Sequence, residues 1–159
     1  MSDVVEICID DLSIENINFI IQSNAKIALS KESLAAVQKC RTYLDKKMSS
    51  GDDIFYGVNT GFGSLCNTKI SNADLSQLQE NLVKSHACGM GDEIPNEIVK
   101  LMLLLKVQGL SYGHSGIAPQ TINRLIDFYN HDIIPIVFEE GSLGASGDLA
   151  PLAHMSLPL

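Results

Sequence analysis

The chain has 159 residues, 45% apolar and 19% charged, which is ordinary for a folded protein able to bury a sizeable core. Its net charge is −8 and its eleven Lys and Arg are scattered, so it lacks the basic face that nucleic acids or anionic membranes require. The N-terminal sequence carries acids where a signal peptide carries Lys or Arg, and the longest apolar run, LMLLL at 101–105, cannot span a bilayer. We therefore expect a cytoplasmic protein with neither nucleic-acid nor membrane partners.

The cysteines predict neither a disulfide framework nor a metal site. They are widely spaced and form no CxxC pair: Cys8, Cys40, Cys66 and Cys88. Without an export signal, such thiols are expected to stay free in a reducing compartment. No metal ion and no external organic cofactor are indicated.

The first half of the chain predicts helices separated by one long loop. Ser13 can cap a helix through IENINFIIQ, and Ser30 can cap a second helix at about 31–48, after a short extended piece, KIAL. One face of the first helix is apolar, with Ile14, Ile17, Ile20 and Ile21. Residues 49–70 hold four glycines and break the helical period, as functional loops often do.

The second half is also predicted to be helical, which makes the fold class mostly α. Ser71 with Asp74 resembles a capping box that begins a helix at about 72–87. A strongly apolar helix is expected at about 95–112, buried on all sides, and another from Pro119 to Asn130. IIPIVFEEGSLG then forms a second loop, and DLAPLAHMSLPL begins a last helix of about three turns.

The tripeptide Ala145-Ser146-Gly147 lies in a glycine-rich turn and could build an electrophile from the backbone. In a tight turn the amide nitrogen of Gly147 would attack the carbonyl carbon of Ala145, and glycine leaves that approach open. Loss of water gives a five-membered imidazolone, and elimination of the Ser146 hydroxyl leaves an exocyclic methylidene carbon. An isolated ASG tripeptide is a weak signal, because most such tripeptides are ordinary turns.

The longer stretch GSLGASGDLAPLAHM, residues 141–155, resembles the signature of the aromatic amino acid lyases. This family comprises histidine, phenylalanine and tyrosine ammonia-lyases and related aminomutases. The resemblance implies that Ala145-Ser146-Gly147 forms 4-methylidene-imidazol-5-one (MIO) autocatalytically, with no external cofactor. Asp148 and the apolar residues after it match a family helix whose N-terminal end points at the ring. The partial positive charge there would make the ring a stronger electron acceptor.

A second stretch, FYGVNTGFG at 55–63, resembles the family loop that carries the catalytic tyrosine. By this resemblance Tyr56 is the base that removes a proton from the substrate β-carbon, and Gly61 belongs to the substrate-binding residues. Because a phenol ordinarily ionises only at about pH 10, such a base needs a site that stabilises its deprotonated form. Residues 81–95 and 101–116 resemble the family's pocket segment and central helix, although Gln108 and Gly109 replace the commoner Asn-Ser.

The pair Ser85-His86 suggests which amino acid is the substrate. In histidine ammonia-lyases the same pair occupies this segment, and an imidazole offers one donor and one acceptor to the substrate imidazole. The resemblance therefore implies substrate binding by Ser85 and His86, and conversion of L-histidine to trans-urocanate and ammonium. Some tyrosine-active members share Ser-His, so tyrosine or phenylalanine ammonia-lyase and aminomutase activities stay open. A histidine that merely bridges helix ends also stays open.

The family's proteins are longer all-helical homotetramers whose sites combine several subunits. The resemblance thus implies that residues 1–159 are the N-terminal region, with a central bundle that begins near residue 95 and continues beyond Leu159. We expect a homotetramer for the complete protein, and no urocanate release from the 159-residue chain alone. The alternative from another class is a helical assembly module whose tripeptide never cyclises.

Overall fold

The computed structural model describes residues 4–49, 53–71, 73–145 and 147–159, so Ser146 lies outside the described residues. The described residues form six α-helices: α1 (Ile14–Gln22), α2 (Lys31–Ser49), α3 (Leu75–His86), α4 (Asn96–Ser111), α5 (Pro119–Asn130) and α6 (Ala150–Ser156). They also form four short strands and one 3₁₀ turn: β1 (Val4–Ile7), β2 (Lys26–Leu29), β3 (Met90–Glu93), β4 (Phe138–Glu140) and Gly63–Leu65. The prediction of a mostly α fold is confirmed. None of the described helices combines the length and apolar character that a bilayer crossing requires.

The chain divides into two compact units. The first falls within Met1–Ser50 and Pro95–Ile134, with Leu159, and the second falls within Gly51–Ile94 and Pro135–Pro158. The first unit contains β1, β2, α1, α2, α4 and α5, whereas the second contains α3, β3, β4 and α6. Every residue that the sequence suggests for catalysis or substrate binding lies in the second unit.

The first unit is built on a parallel pair of strands covered by helices. β1 pairs with β2 in the register Val4↔Lys26 to Ile7↔Leu29, and α4 contacts α2, α5 and β1. Its largest fully buried side chains include Ile7, Ile20, Ile27, Val37, Val99, Leu103, Leu104, Val107, Ile122 and Tyr129. The predicted caps are present, because Ser13 accepts from the amide of Asn16 and Ser30 from the amide of Ser33.

Three details of the helix predictions are wrong. Ile14 is 81% exposed, so the apolar face of α1 is narrower than its sequence suggests. Ile98 and Leu105 of α4 are also exposed, because the elements that pack on this helix in the first unit cover only one side of it. The Ser71 hydroxyl donates to the Asp74 carboxylate at 2.6 Å, so Asp74 does not cap the helix with its side chain and α3 begins only at Leu75.

The second unit contains an antiparallel strand pair that the sequence does not predict. β3 and β4 pair with Met90 opposite Glu140 and Glu93 opposite Phe138. Part of the predicted loop IIPIVFEEGSLG is therefore a strand. Both strands are short, polar and largely exposed, so they show none of the apolar alternation from which strands are predicted.

Gln108, one of the two departures from the family pattern, is hydrogen-bonded through its side-chain nitrogen, whereas its buried Oε1 has no hydrogen-bond partner among the described residues. Its buried side-chain amide donates to the carbonyl of Asp10 at 2.9 Å and to that of Cys8 at 3.3 Å. The Ser111 hydroxyl also donates to the Cys8 carbonyl, at 2.9 Å. These bonds fasten the segment after β1 to α4 within the first unit.

Gly109, the other departure, should be a site where a substitution stabilises the protein. It is exposed within α4, and a Cβ atom added there would meet no atom within 4 Å. Because glycine loses more backbone entropy in a helix than alanine, we expect Gly109→Ala to raise the free energy of unfolding by about 0.5–1 kcal/mol. Urea unfolding of the purified protein measures the change.

The matched control for this prediction is Gly113→Ala just beyond the same helix. Gly113 has φ +69°, and its added Cβ would lie 2.6 Å from the backbone carbonyl carbon of Ala36. This variant should be destabilised. An unchanged or lower unfolding free energy for Gly109→Ala would contradict the assignment of an open helix position.

Candidate active site

Tyr56 lies at the tip of a loop that its own side chains hold in shape. The Asn59 side chain is 2% exposed, accepts from the amide of Phe55 at 2.7 Å and donates to the carbonyl of Asp53 at 3.0 Å. The amide of one side chain thus replaces the backbone partners that a strand would supply. Tyr56 itself remains 64% exposed, so its ring is presented outward from a fixed backbone.

Thr60 fixes the second half of the same loop. Its buried hydroxyl accepts from the amide of Gly57 at 3.1 Å and donates to the carbonyl of Gly61 at 2.9 Å. Gly61 is buried, and its carbonyl is engaged by Thr60. These contacts give Gly61 a part in shaping the loop, and its role in substrate binding stays a prediction. Asn59 and Thr60 were missed in the sequence, where their only signal is a polar pair within FYGVNTGFG.

Phe62 joins the rings of Tyr56 and His86. The ring centroids of Tyr56 and Phe62 are 5.7 Å apart at an interplanar angle of 57°. Those of Phe62 and His86 are 5.5 Å apart at 84°, an edge-to-face contact. Such tilted geometries are favourable for aromatic pairs. The structure therefore brings the predicted base and the predicted imidazole-binding residue into contact with one ring, Phe62, which the sequence motifs do not single out.

His86 ends α3 with one ring nitrogen already engaged. Its Nδ1 lies 2.7 Å from the carbonyl oxygen of Leu82, and the Ser85 hydroxyl lies 3.1 Å from Nδ1 and 3.0 Å from the same carbonyl. A carbonyl oxygen only accepts, so Nδ1 carries the proton, and Nε2 of the neutral ring is an acceptor. The expectation that His86 offers a substrate both a donor and an acceptor is corrected to an acceptor alone. Ser85 bonds to its own helix, and its contact with a substrate stays a prediction.

An open cleft of about 220 Å³ lies beside His86 in the second unit. It is lined by Phe62, Gln79, Leu82, Val83, His86, Leu149, Leu152, Ala153 and Ser156. α3 supplies one wall and α6 supplies the other. The lining is mostly apolar, and His86 is its one ionisable side chain among the described residues, as suits a small aromatic side chain with a polar edge.

The loop around the ASG tripeptide is closed by the carboxylate of Asp148. Its Oδ1 accepts from the amide of Ser142 at 2.8 Å, the amide of Ala150 at 3.0 Å and the hydroxyl of Ser142 at 3.1 Å. The amide of Leu149 also donates to the Ser142 hydroxyl, at 3.3 Å. The bond from the Ser142 amide, with those from Ala150 and the Ser142 hydroxyl, lowers the pKa of Asp148 from its ordinary value. These four residues, Ser142, Asp148, Leu149 and Ala150, form what we call the loop clamp.

Within the loop, the backbone turns tightly at the tripeptide. The amide of Gly147 donates to the carbonyl of Gly144 at 3.3 Å, which closes a turn with Ala145 inside it. Gly147 has φ +93°, a conformation that residues with a side chain rarely adopt. Ser146 lies outside the described residues. The turn and the glycine conformation fit the compact backbone that cyclisation of Ala145-Ser146-Gly147 needs.

Among the described residues, no three His, Cys, Asp or Glu side chains converge as a group that could hold a metal ion. The described cysteines are all free thiols.

Comparison with known proteins assigns the chain to a family. The family model for aromatic amino acid lyases matches residues 12–159. The chain belongs to this family. Among curated members, the histidine ammonia-lyase of Geobacillus thermodenitrificans is 49% identical over 148 residues, which is 93% of this chain and 29% of that protein.

Solved structures of the family have the same fold. The ergothionase of Treponema denticola, determined in complex with desmethyl-ergothioneine sulfonic acid, matches with a TM-score of 0.90 and 28% identity over 98% of this chain and 31% of its own. The histidine ammonia-lyase of Trypanosoma cruzi matches with a TM-score of 0.81 and 31% identity, over 97% of this chain and 29% of its own. The chain thus spans less than a third of the length of these family members.

Proposed function

We propose that the complete protein is a histidine ammonia-lyase that converts L-histidine to trans-urocanate and ammonium. The observation that carries the proposal is His86, whose Nδ1 is engaged by Leu82 and whose ring lines an apolar cleft beside Phe62. Its Nε2 is an acceptor suited to the N–H of a substrate imidazole. The 49% identity to a histidine ammonia-lyase supports the same substrate. We further propose that the protein is cytoplasmic and works as a homotetramer.

The reaction removes the β-proton and the amino group of the substrate, breaks its Cα–N bond and forms a Cα–Cβ double bond. Ala145, Ser146 and Gly147 would hold the MIO group as part of the chain, formed with loss of two water molecules. When formed, MIO supplies the electrophile that activates the amino group for departure. The turn between Gly147 and Gly144 and the loop clamp support this role, because they hold described residues on both sides of Ser146.

Tyr56 and His86 would have separate roles, proton removal and substrate binding. His86 would orient the substrate imidazole through Nε2, and the Tyr56 phenolate would take the β-proton. Because Phe62 contacts both rings, the acceptor and the base are held in a fixed relation, and such positioning can contribute several powers of ten to a rate. Tyr56 has the exposure that contact with a substrate requires.

The test uses the complete gene product and its Ser146→Ala variant, each incubated separately with L-histidine, L-tyrosine and L-phenylalanine. We expect urocanate from L-histidine, seen by its ultraviolet absorbance, and no product from the variant, which lacks the hydroxyl that must leave. A mass measurement on the peptide covering residues 141–155 should show a deficit of two waters in the wild type alone.

The alternatives give different outcomes. Coumarate or cinnamate as the main product would keep the lyase mechanism and overturn the assignment of L-histidine. A β-amino acid would indicate an aminomutase. A normal peptide mass, together with no product from any of the three amino acids, would leave the non-catalytic assembly module.

A further inference from the structure

We propose that His154 is a positioning residue that holds the substrate-binding end of α3 against α6 and so sets how tightly L-histidine binds. This proposal rests on the proposed function of His86 as the residue that binds the substrate imidazole. His154 is a buried side chain of α6, only 8% exposed, and the catalytic steps described above do not use it. It contacts Gly89 in the segment that follows His86, and Phe138 of β4.

The first contact is a hydrogen bond between residues 65 positions apart in sequence. The amide of Gly89 donates to Nε2 of His154 at 2.8 Å. An amide N–H only donates, so Nε2 carries no proton and the imidazole accepts through it. The Gly89 amide is partly buried, and leaving it without a partner would be unfavourable, so this bond restricts where Gly89 can lie.

The second contact is steric and leaves Gly89 little freedom. A Cβ atom added at Gly89 would lie 3.0 Å from Nε2 of His154 and 3.2 Å from Cβ of Phe138. The rings of His154 and Phe138 meet edge-on, with centroids 5.2 Å apart at 76°. His154 is therefore held by β4 on one side and holds Gly89 on the other.

The short segment from His86 to Gly89 links the position of Gly89 to that of His86. The amide of Ala87 donates to the carbonyl of Val83 at 3.1 Å, and the amide of Cys88 donates to the carbonyl of His86 at 2.9 Å. The backbone is thus fixed from the last turn of α3 as far as Gly89. Fastening Gly89 to His154 places His86 relative to α6.

The position of His154 in α6 gives this contact a functional consequence. Its neighbour Ala153 lines the cleft, as His86 does from the opposite wall. α6 also begins three residues after Gly147, the last residue of the tripeptide. His154 therefore sets the spacing between the group that reads the substrate side chain and the segment that carries the electrophile.

Two substitutions separate the hydrogen bond from the packing. His154→Phe keeps a ring against Phe138 and removes the acceptor, whereas His154→Gln keeps an acceptor at the place of Nε2 and removes the ring. In the complete protein we expect His154→Phe to raise KM for L-histidine about 3- to 10-fold, the effect of one lost hydrogen bond, with kcat changed less than about twofold. His154→Gln should have a KM close to that of the wild type. The two-water deficit of the peptide 141–155 should be the same in all three proteins.

Hydrogen exchange at the Gly89 amide tests the contact without any activity. Protection should fall at least about tenfold in His154→Phe and return in His154→Gln. If the wild type makes no urocanate, the proposed function fails, while the exchange result still decides whether His154 holds Gly89. Should His154→Phe fail to fold, Gly89→Ala tests the same contact from the other side and should also raise KM.

Other results would overturn the proposal. These are a loss of kcat at constant KM, as expected if His154 merely supports the fold, a failure of His154→Gln to restore KM, and unchanged protection of Gly89.

Discussion

Replacing Tyr56 with phenylalanine should lower kcat for L-histidine about 10²- to 10⁴-fold, the range that one positioned base contributes. The ring contact with Phe62 survives the change, because the hydroxyl takes no part in it. The loop survives as well, since Asn59 and Thr60 hold its backbone. We therefore expect KM to change little and the mass deficit of the peptide 141–155 to remain complete. Steady-state kinetics measure kcat and KM, and the mass of the peptide 141–155 measures ring formation.

Tyr43→Phe is the matched control for this prediction. Tyr43 is on α2, is 63% exposed and so resembles Tyr56 in its access to solvent. Its substitution should leave kcat unchanged. A Tyr56→Phe protein that keeps more than a tenth of the wild-type kcat would rule out Tyr56 as the main base.

Replacing Asp148 with leucine should block ring formation and lower activity about 10²-fold or more, because small displacements of reacting groups have effects of that size. Three of the four hydrogen bonds in the loop clamp converge on one oxygen, Oδ1 of Asp148. Asp148→Asn keeps an oxygen there and is the matched control, so it should retain most of its ring content. The mass deficit of the peptide 141–155 reports the outcome, and equal ring content in the two variants would contradict the role of the clamp.

Gly141→Ala should act on the same clamp without changing Asp148. A Cβ atom at Gly141 would lie 1.8 Å from Oδ2 of Asp148, so the carboxylate must leave its partners. Ring content should fall as in the leucine variant. If Gly141→Ala retains full ring content, the carboxylate is not what holds the loop.

The clamp should also tolerate moderately acid solution. The folded-state pKa of Asp148 is below its ordinary value of 3.8, so the stability contributed by the carboxylate is fully present above that value. It is lost as the pH falls through the lower folded value. Pulse labelling by hydrogen exchange of residues 141–150 should thus show constant protection, after correction for intrinsic exchange, from neutral pH down to about pH 5.

Much of the fold could be predicted because its signals are local. Ser13 and Ser30 cap helices as expected, and α5 runs from Pro119 to Asn130 as its pattern indicates. The start of α3 was predicted wrongly because Ser71 and Asp74 bond to each other. The β3–β4 pair was missed because it joins short polar segments far apart in sequence, whose pairing no local pattern encodes.

The site was predictable only as far as its motifs reach. The resemblance predicts Tyr56 and His86 as site residues, but their connection through Phe62 depends on a tertiary contact between the loop and α3. The protonated nitrogen of His86 follows from a carbonyl one turn earlier in the helix. The bond between Gly89 and His154 joins residues whose separation in sequence conceals their contact.

The hydrogen bonds of the Tyr56 loop and those of His86 belong to different parts of the sequence, so the proposed base and the proposed substrate-binding residue are positioned largely by different segments. Asn59 takes its side-chain partners, Phe55 and Asp53, from within six positions of itself, so part of the shape that presents the proposed base is encoded locally. Gln79 of α3 supports the same loop by donating to the carbonyls of Gly57 and Val58. His86, the proposed acceptor for the substrate imidazole, lies elsewhere in the sequence, at the end of α3. Under the proposed function, a substitution at position 86 would change the group that contacts the substrate side chain and leave the Asn59 hydrogen bonds of the Tyr56 loop in place.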